Sequence, residues 1–449
     1  MVWFYKNKAT TVVFAISLLI LISPLIFLGT GIGQEAIHLS DEVRIASDGS
    51  LQSSPKAVAL HQLSVPIRIS RLLSYPILLL LLQYSGLAVL MRIRVYEGAV
   101  VPIANQRWFQ EIDGYLHRLT RSRLSLSTLI EISVCITIIF ILISIIFFPL
   151  SLYRGFILRH QFGLSTQSFL AWLRDFGVRQ LIGWLTTLVT YGGFYCVLKL
   201  MPRQWPIWGG VGFTVLFIGF FLLQPIVVTP LFYQVTPLAD PDLQQRIDIM
   251  ANRVGVTIDD VSIIDASSKT TTINAYVTGF AGATKIVLWD TLLIKHPPDE
   301  VDVVLAHEMA HWYYRHTLVF VLFAISGTWL GLFALRFWLN AVWKRLGWRG
   351  PDDVAGYPYL LAVIALVSLL SLPVMNGISR LAENQADQFA IDVSQKPVAT
   401  KRLFERFAEE NLGMIEVPAW EKFIFRTHPP LIERIQRAER AIERDNLKK

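Results

Sequence analysis

The chain has 449 residues, 53% of them hydrophobic and only 17% charged, with a mean hydropathy of +0.47, which excludes a soluble globular enzyme and places it in a membrane. The net charge of +7 comes from Lys and Arg that flank apolar stretches rather than forming one basic stripe, which excludes a nucleic-acid binder. Cys135 and Cys196 both lie inside apolar stretches, which excludes a disulfide framework or a cysteine metal site.

Stretches of about 20 largely apolar residues can cross a bilayer core of roughly 30 Å. The first is 11–31, preceded by Lys6 and Lys8. A secretory signal has a similar layout, but the length of this run favours an uncleaved span. The next is 75–91, the shortest, which carries Gln83; 130–152, 181–201 and 207–232 follow. Residues 1–232 therefore read as an N-terminal membrane region with about five spans.

A polar block, 233–316, comes next. Thr271-Thr272-Ile273-Asn274-Ala275-Tyr276, then Gly279 and Gly282, then Lys285-Ile286-Val287-Leu288-Trp289 read as two short strands joined by a glycine-containing turn. A strand edge beside a hydrolytic site can hold an extended peptide by main-chain pairing, although an ordinary hairpin packed on a helix has the same periodicity. Pro297-Pro298-Asp299-Glu300 supplies a helix start, and Val301, Val304 and Leu305 supply the apolar stripe behind it.

That helix carries His307-Glu308-Met309-Ala310-His311. Imidazoles four residues apart lie on one helix face at roughly 5–6 Å and can ligate one zinc ion. Glu308 sits about 100° further round, so it misses the metal yet reaches a water beside it. The implied chemistry is metal-assisted hydrolysis. Tetrahedral zinc with an open position needs one more protein ligand. Tyr314 and Thr317 occupy the places of the glycine and histidine that would complete a three-histidine site, so a distal carboxylate is expected.

Two further spans, 318–343 and 357–375, are joined by a basic turn around Lys344, Arg345 and Arg349 and return the chain to the side it left. The second polar block, 377–449, opens with Glu383-Asn384-Gln385-Ala386-Asp387, two carboxylates one helical turn apart. One can bind zinc while the other orients a histidine. His311 precedes Leu318 by seven residues, about 10 Å of helix, and Glu383 follows Met375 by eight, so both stand at a similar height near the membrane surface. That favours Glu383 as the third ligand. Charge at Glu300, Asp302 and Arg315 disfavours a site in mid-bilayer. Residues 233–449 thus read as a metalloprotease domain interrupted by two spans.

These motifs resemble the type I CAAX prenyl proteases of the Ste class, integral-membrane zinc metalloendopeptidases. The zinc helix continues into Trp312 and His316-Thr317, with Ala310 where the family usually has glycine. Asn274-Ala275-Tyr276 with Gly279 is similar to the substrate-edge motif, and Ile286-Val287-Leu288-Trp289-Asp290-Thr291-Leu292 to the strand after it. Glu383 and Asp387 fall in the glutamate motif, and Thr427-His428-Pro429-Pro430 with Glu433-Arg434-Ile435 resembles the C-terminal histidine motif. In the membrane half, Arg159-His160-Gln161-Phe162-Gly163-Leu164-Ser165 and Pro230-Leu231-Phe232 with Pro237-Leu238 resemble family signatures. The likeness covers all but about the first 70 residues.

The resemblance implies an all-α multi-span membrane protein of about seven transmembrane helices forming a hollow barrel. Attached to it would be a mainly α gluzincin-type metalloprotease domain with a small β-hairpin or sheet. It implies one Zn2+ per chain on His307, His311 and Glu383, Glu308 as general base, and Asp387 as a partner behind the ligands or a proton donor. Asn274, Ala275 and Tyr276 would bind substrate, and His428 with Asn274 would stabilise the oxyanion; His316 is given no role. The partners would be an extended peptide or protein associated with the membrane, and the lipid bilayer, with no nucleic acid. The location would be the inner membrane of a bacterium or the endoplasmic reticulum of a eukaryote. CAAX-type processing of lipidated substrates is implied by resemblance alone. The alternatives are a quality-control protease of the same class and a non-catalytic metal-containing transporter or scaffold, the latter disfavoured by the presence of Glu308.

Overall fold

The computed structural model describes residues 38–47, 51–121, 123–280 and 283–448, so the span expected at 11–31 and the turn residue Gly282 lie outside the described residues. The membrane region opens with α1 (Pro55–Tyr84), capped by the Ser54 side chain, which accepts a hydrogen bond from the Ala57 N–H. This corrects the span expected at 75–91: the helix starts at Pro55 and ends where Gly86 turns the chain at φ 79°, a left-handed conformation suited to glycine. Hydropathy understated it because polar residues, among them the buried Ser70, Ser74 and Gln83, interrupt its apolar run. His61 meets Glu421 at 2.7 Å, and Arg68 and Arg71 line a cavity shared with α2 and α3.

The spans expected at 130–152, 181–201 and 207–232 fall on α2 (Leu126–Gln161), α3 (Phe169–Leu200) and α4 (Trp205–Phe232). Each contains a π-turn, at Tyr153–Ile157, Leu188–Gly192 and Gln224–Val228 respectively.

Beyond α4, β1 (Val235–Pro237), α5 (Pro241–Val254), β2 (Asp260–Ile264), β3 (Ala275–Phe280) and β4 (Ala283–Trp289) follow, and the strands form a sheet of order β1-β2-β4-β3. The expected hairpin is β3 with β4, antiparallel, Tyr276 opposite Val287. β3 is the edge strand. The Trp289 N–H donates to the Asn274 C=O, so by ladder alternation the main chain of Tyr276 and Thr278 also faces β4. The main-chain groups of Ala275, Val277 and Gly279 are left facing outward.

The helix announced by Pro297-Pro298-Asp299-Glu300 is α6 (Pro298–Tyr313). Val301, Leu305, Ala306 and Met309 on it are buried in one core with Ile286 and Leu288 of β4, and with Ala386 and Ala390 further along the chain. Burying side chains of the Val, Leu or Met class is worth about 1.5–3 kcal/mol each, which seats the helix firmly on the sheet.

The remaining spans are α7 (His316–Val342) and α8 (Tyr357–Ser394), and α9 (Pro397–Glu410) and α10 (Leu431–Asn446) close the domain. α8 does not stop at the end of its apolar run. Span and glutamate motif are one unbroken helix, Glu383 standing about 12 Å of rise beyond Met375. Among the described residues, α1 to α4, α7 and α8 are long and apolar enough to cross a membrane.

α4 and α7 meet through a glycine. A Cβ on Gly210 would stand 2.7 Å from the Trp329 ring, whose Nε1–H donates to Thr214 at 3.1 Å. Gly210→Val should therefore cost about 1–3 kcal/mol by overpacking and lower the melting temperature in detergent by a few degrees. Gly212→Ala, which meets open space, should leave it unchanged.

Candidate active site

The period of α6 places His307 and His311 side by side, ring centroids 5.0 Å apart and their Nε2 atoms 3.2 Å apart. α8 brings Glu383 over them, with Oε2 3.2 Å from His307 Nε2 and Oε1 3.6 Å from His311 Nε2. Donors bonded at 2.0–2.1 Å to a tetrahedral ion lie about 3.3 Å from one another, so these separations have the size such an ion requires. Glu383 Oε2 is also buried and, apart from the His307 imidazole, meets no donor among the described residues, as suits an oxygen that meets a cation. Among those residues, His307, His311 and Glu383 form a cluster that could hold a metal ion.

Behind the triangle, His307 Nδ1 faces Asp387 Oδ1 at 3.1 Å. Asp387 is gripped through both oxygens by Arg434, at 2.9 and 2.5 Å, and accepts a further bond from Arg437 at 2.9 Å. Arg434 itself lies 4.0 Å over the Phe404 ring. Two guanidiniums hold this carboxylate ionised, which supports an orienting partner over a proton donor. Asp387→Asn should weaken metal affinity about 10- to 100-fold, read by titration against a competing chelator.

On the other flank, His311 Nδ1 is 3.0 Å from His316 Nδ1, and His316 Nε2 is 3.0 Å from Gln385 Oε1. Gln385 of α8 thus steadies His316, which steadies His311. Sequence showed His316 as a family position without a role, and Gln385 and Arg437 carried no signal of their own. Arg434 stood in the C-terminal motif without a role, and the clue to its pairing, as to Arg437, was Asp387, an acid that needs counter-charge once buried.

Glu308 points from α6 towards the sheet, where its Oε2 accepts a hydrogen bond from the Val277 N–H of β3 at 3.2 Å. Desolvation, opposed by His307, raises its carboxyl to about 7. Desolvation and the charge of His307 lower His311 to about 4 and keep that imidazole neutral. Desolvation also acts to lower His307, but its contacts with Asp387 and Glu383 prevail and raise it to about 9, so a proton competes with a metal there.

The loop before α10 brings His428 Nε2 to 3.4 Å from Glu383 Oε1, while Thr427 Oγ1 lies 2.9 Å from its Nδ1. Asn274, Ala275, His307, Glu308 and His428 share the lining of a cavity of about 90 Å3. Tyr276 does not reach it. Its main chain is tied to β4, and its side chain packs against the cluster of Ile264, Ala266 and Val287.

The chain is similar to known proteins on both sides of its β1 boundary. Residues 237–442 match the model of peptidase family M48, and residues 68–234 match that of the CAAX prenyl protease N-terminal, five membrane helices. CAAX prenyl protease 1 of Saccharomyces cerevisiae is 30% identical over 311 residues, 64% of this chain and 67% of the relative. Probable CAAX prenyl protease 1 of Schizosaccharomyces pombe is 27% identical over 376 residues, 83% and 75% of the two chains. An uncharacterized metalloprotease of Bacillus subtilis is 28% identical over 294 residues, 64% and 68%. The crystal structure of S. mikatae Ste24p shares the fold, with a TM-score of 0.63 over 94% of this chain and 98% of that one at 21% identity. The chain belongs to the CAAX prenyl protease family of M48 peptidases and is a membrane-embedded, multi-pass metalloendopeptidase.

Proposed function

We propose that His307, His311 and Glu383 hold one Zn2+, that Glu308 is the general base, and that Asn274, Ala275 and His428 engage an extended peptide. The observation that carries this reading is the donor cluster beside the open edge of β3: the two imidazole Nε2 atoms lie 3.2 Å apart, with one Glu383 oxygen 3.2 Å from the first and the other 3.6 Å from the second. We divide the chain into a membrane region, 1–232, and a protease domain, 233–449, interrupted by α7 and α8. Two imidazoles and a carboxylate form a hydrolytic zinc set. When bound, the ion supplies Lewis acidity, polarising the scissile carbonyl and acidifying an adjacent water.

The protein groups do the rest. Glu308 takes the proton of the attacking water and passes it to the departing amine. The outward main chain of Ala275, Val277 and Gly279 pairs with the peptide, Glu308 releasing the Val277 N–H as the peptide arrives. Asp387 and His316 orient the two imidazoles. His428 and Asn274 donate to the developing oxyanion, and His428→Ala should lower kcat about 100- to 1,000-fold with a smaller change in KM.

For the substrate, the names of the yeast relatives support a prenylated, membrane-associated peptide. The test compares a farnesylated CAAX peptide with the same peptide unmodified. Cleavage should require zinc and be at least about tenfold faster for the farnesylated form, a preference worth about 1.4 kcal/mol. Equal rates would favour the quality-control reading instead.

A further inference from the structure

We infer that the membrane region contains a second binding site, an arginine-lined chamber that takes the free C-terminal carboxylate of the peptide being cut. The inference rests on the endopeptidase reading above. Arg68 and Arg71 of α1, Arg154 and Arg159 of α2 and Arg179 of α3 line one cavity of about 640 Å3. Among the described residues no carboxylate stands within ion-pair distance of any of the five, although the charge of Glu421 reaches Arg68. Asp175 of α3 is engaged by Lys269 and Gln167, and Glu421 by His61 and Arg426. Arg154 lies in the field of Arg68, Arg71 and Arg159, and it stands in the π-turn of α2, a distortion frequent at functional sites. Like charges gathered in membrane-spanning helices are costly, and an anionic ligand offsets that cost.

The position of the chamber says which anion. Thr272 and Asn411 belong to the same lining, and Asn411 Oδ1 accepts a hydrogen bond at 3.1 Å from the N–H of Ile273, the residue before Asn274. The chamber therefore opens at the start of β3, about 7 Å of extended chain from Asn274. A peptide laid along β3 enters it with one end. The arginines repel an α-ammonium and hold an α-carboxylate, so that end is the C-terminus and the peptide runs antiparallel to β3. The guanidinium fork matches a carboxylate bidentately, and Trp172, Phe176 and Leu150 leave apolar wall for the side chains beside it.

The test uses the full-length zinc-loaded chain and two peptides of one cleavable sequence, one ending in a free acid and one in an amide, at fixed ionic strength. Wild type should show a kcat/KM ratio of acid to amide of about 10 to 100, the range of charge-assisted hydrogen bonds. Arg68→Gln and Arg154→Gln should bring the ratio close to one, and the lysine substitutions should restore part of it. Inorganic phosphate should inhibit cleavage of the acid more than of the amide. Equal rates in wild type, with both peptides inert to Glu308→Gln, would overturn the carboxylate site and leave the endopeptidase reading intact. Undiminished cleavage by Glu308→Gln would overturn that reading instead. If the arginine variants slow both peptides alike, the chamber serves another anion, such as a lipid phosphate, and the inference fails. The wild-type ratio needs no variant, so misfolding of a substituted chain does not rescue it.

Discussion

Glu308→Gln is expected to lower kcat about 1,000- to 10,000-fold while the chain keeps its metal. The amide is close in shape to the carboxylate and can still accept from the Val277 N–H, so the contact between α6 and β3 survives. It cannot take up a proton at neutral pH. Glu308 is not one of the three donors in the triangle, so zinc content should match wild type. Single-turnover cleavage and metal analysis on one preparation check both halves. Loss of zinc together with loss of rate would mean that Glu308 is a ligand or that the helix has shifted.

Glu383→Ala should have the complementary effect, removing the metal as well as the activity. It deletes the oxygens that stand 3.2 and 3.6 Å from the two imidazole nitrogens and leaves a two-donor site. Residues that only orient ligands cost about 10- to 100-fold in metal affinity, so loss of a ligand should exceed about 100-fold and bring cleavage below detection. α8 is anchored independently by Ala386, Phe389 and Ala390 in the core and by Asp387 against Arg434, so the fold should persist. Equilibrium dialysis against zinc, with circular dichroism to confirm helicity, measures the effect. A Glu383→Ala chain that binds zinc as wild type does would remove it from the ligand set.

The parts of this fold that were legible in the sequence were those written in short-range patterns. The spacing of His307 and His311, the prolines that open α6 and the two strands before it all depend on neighbours within a few residues. The return of Glu383 to the histidines followed from counting residues along two spans. Side-chain pairings between distant segments were not legible. Asp387 meets arginines 47 and 50 positions away, and no local pattern marks the pairing. α1 was placed too late because averaging hydropathy treats Arg68 and Arg71 as interruptions, whereas in the fold they line a cavity shared with α2 and α3. Tyr276 was grouped with Asn274 and Ala275 by motif, yet strand alternation and the cluster beneath it hold its side chain away from the cavity. Proximity of His316 to His311 in sequence did not reveal that Gln385 of α8 completes the pair.

The most direct measurement is the zinc content of the purified full-length chain, followed together with peptide cleavage as a chelator withdraws the metal and zinc is added back. The expected result is one zinc per chain, cleavage that falls in step with its removal, and recovery on re-addition. Full cleavage by a chain stripped of zinc would contradict the assignment of His307, His311 and Glu383 as the centre of the reaction.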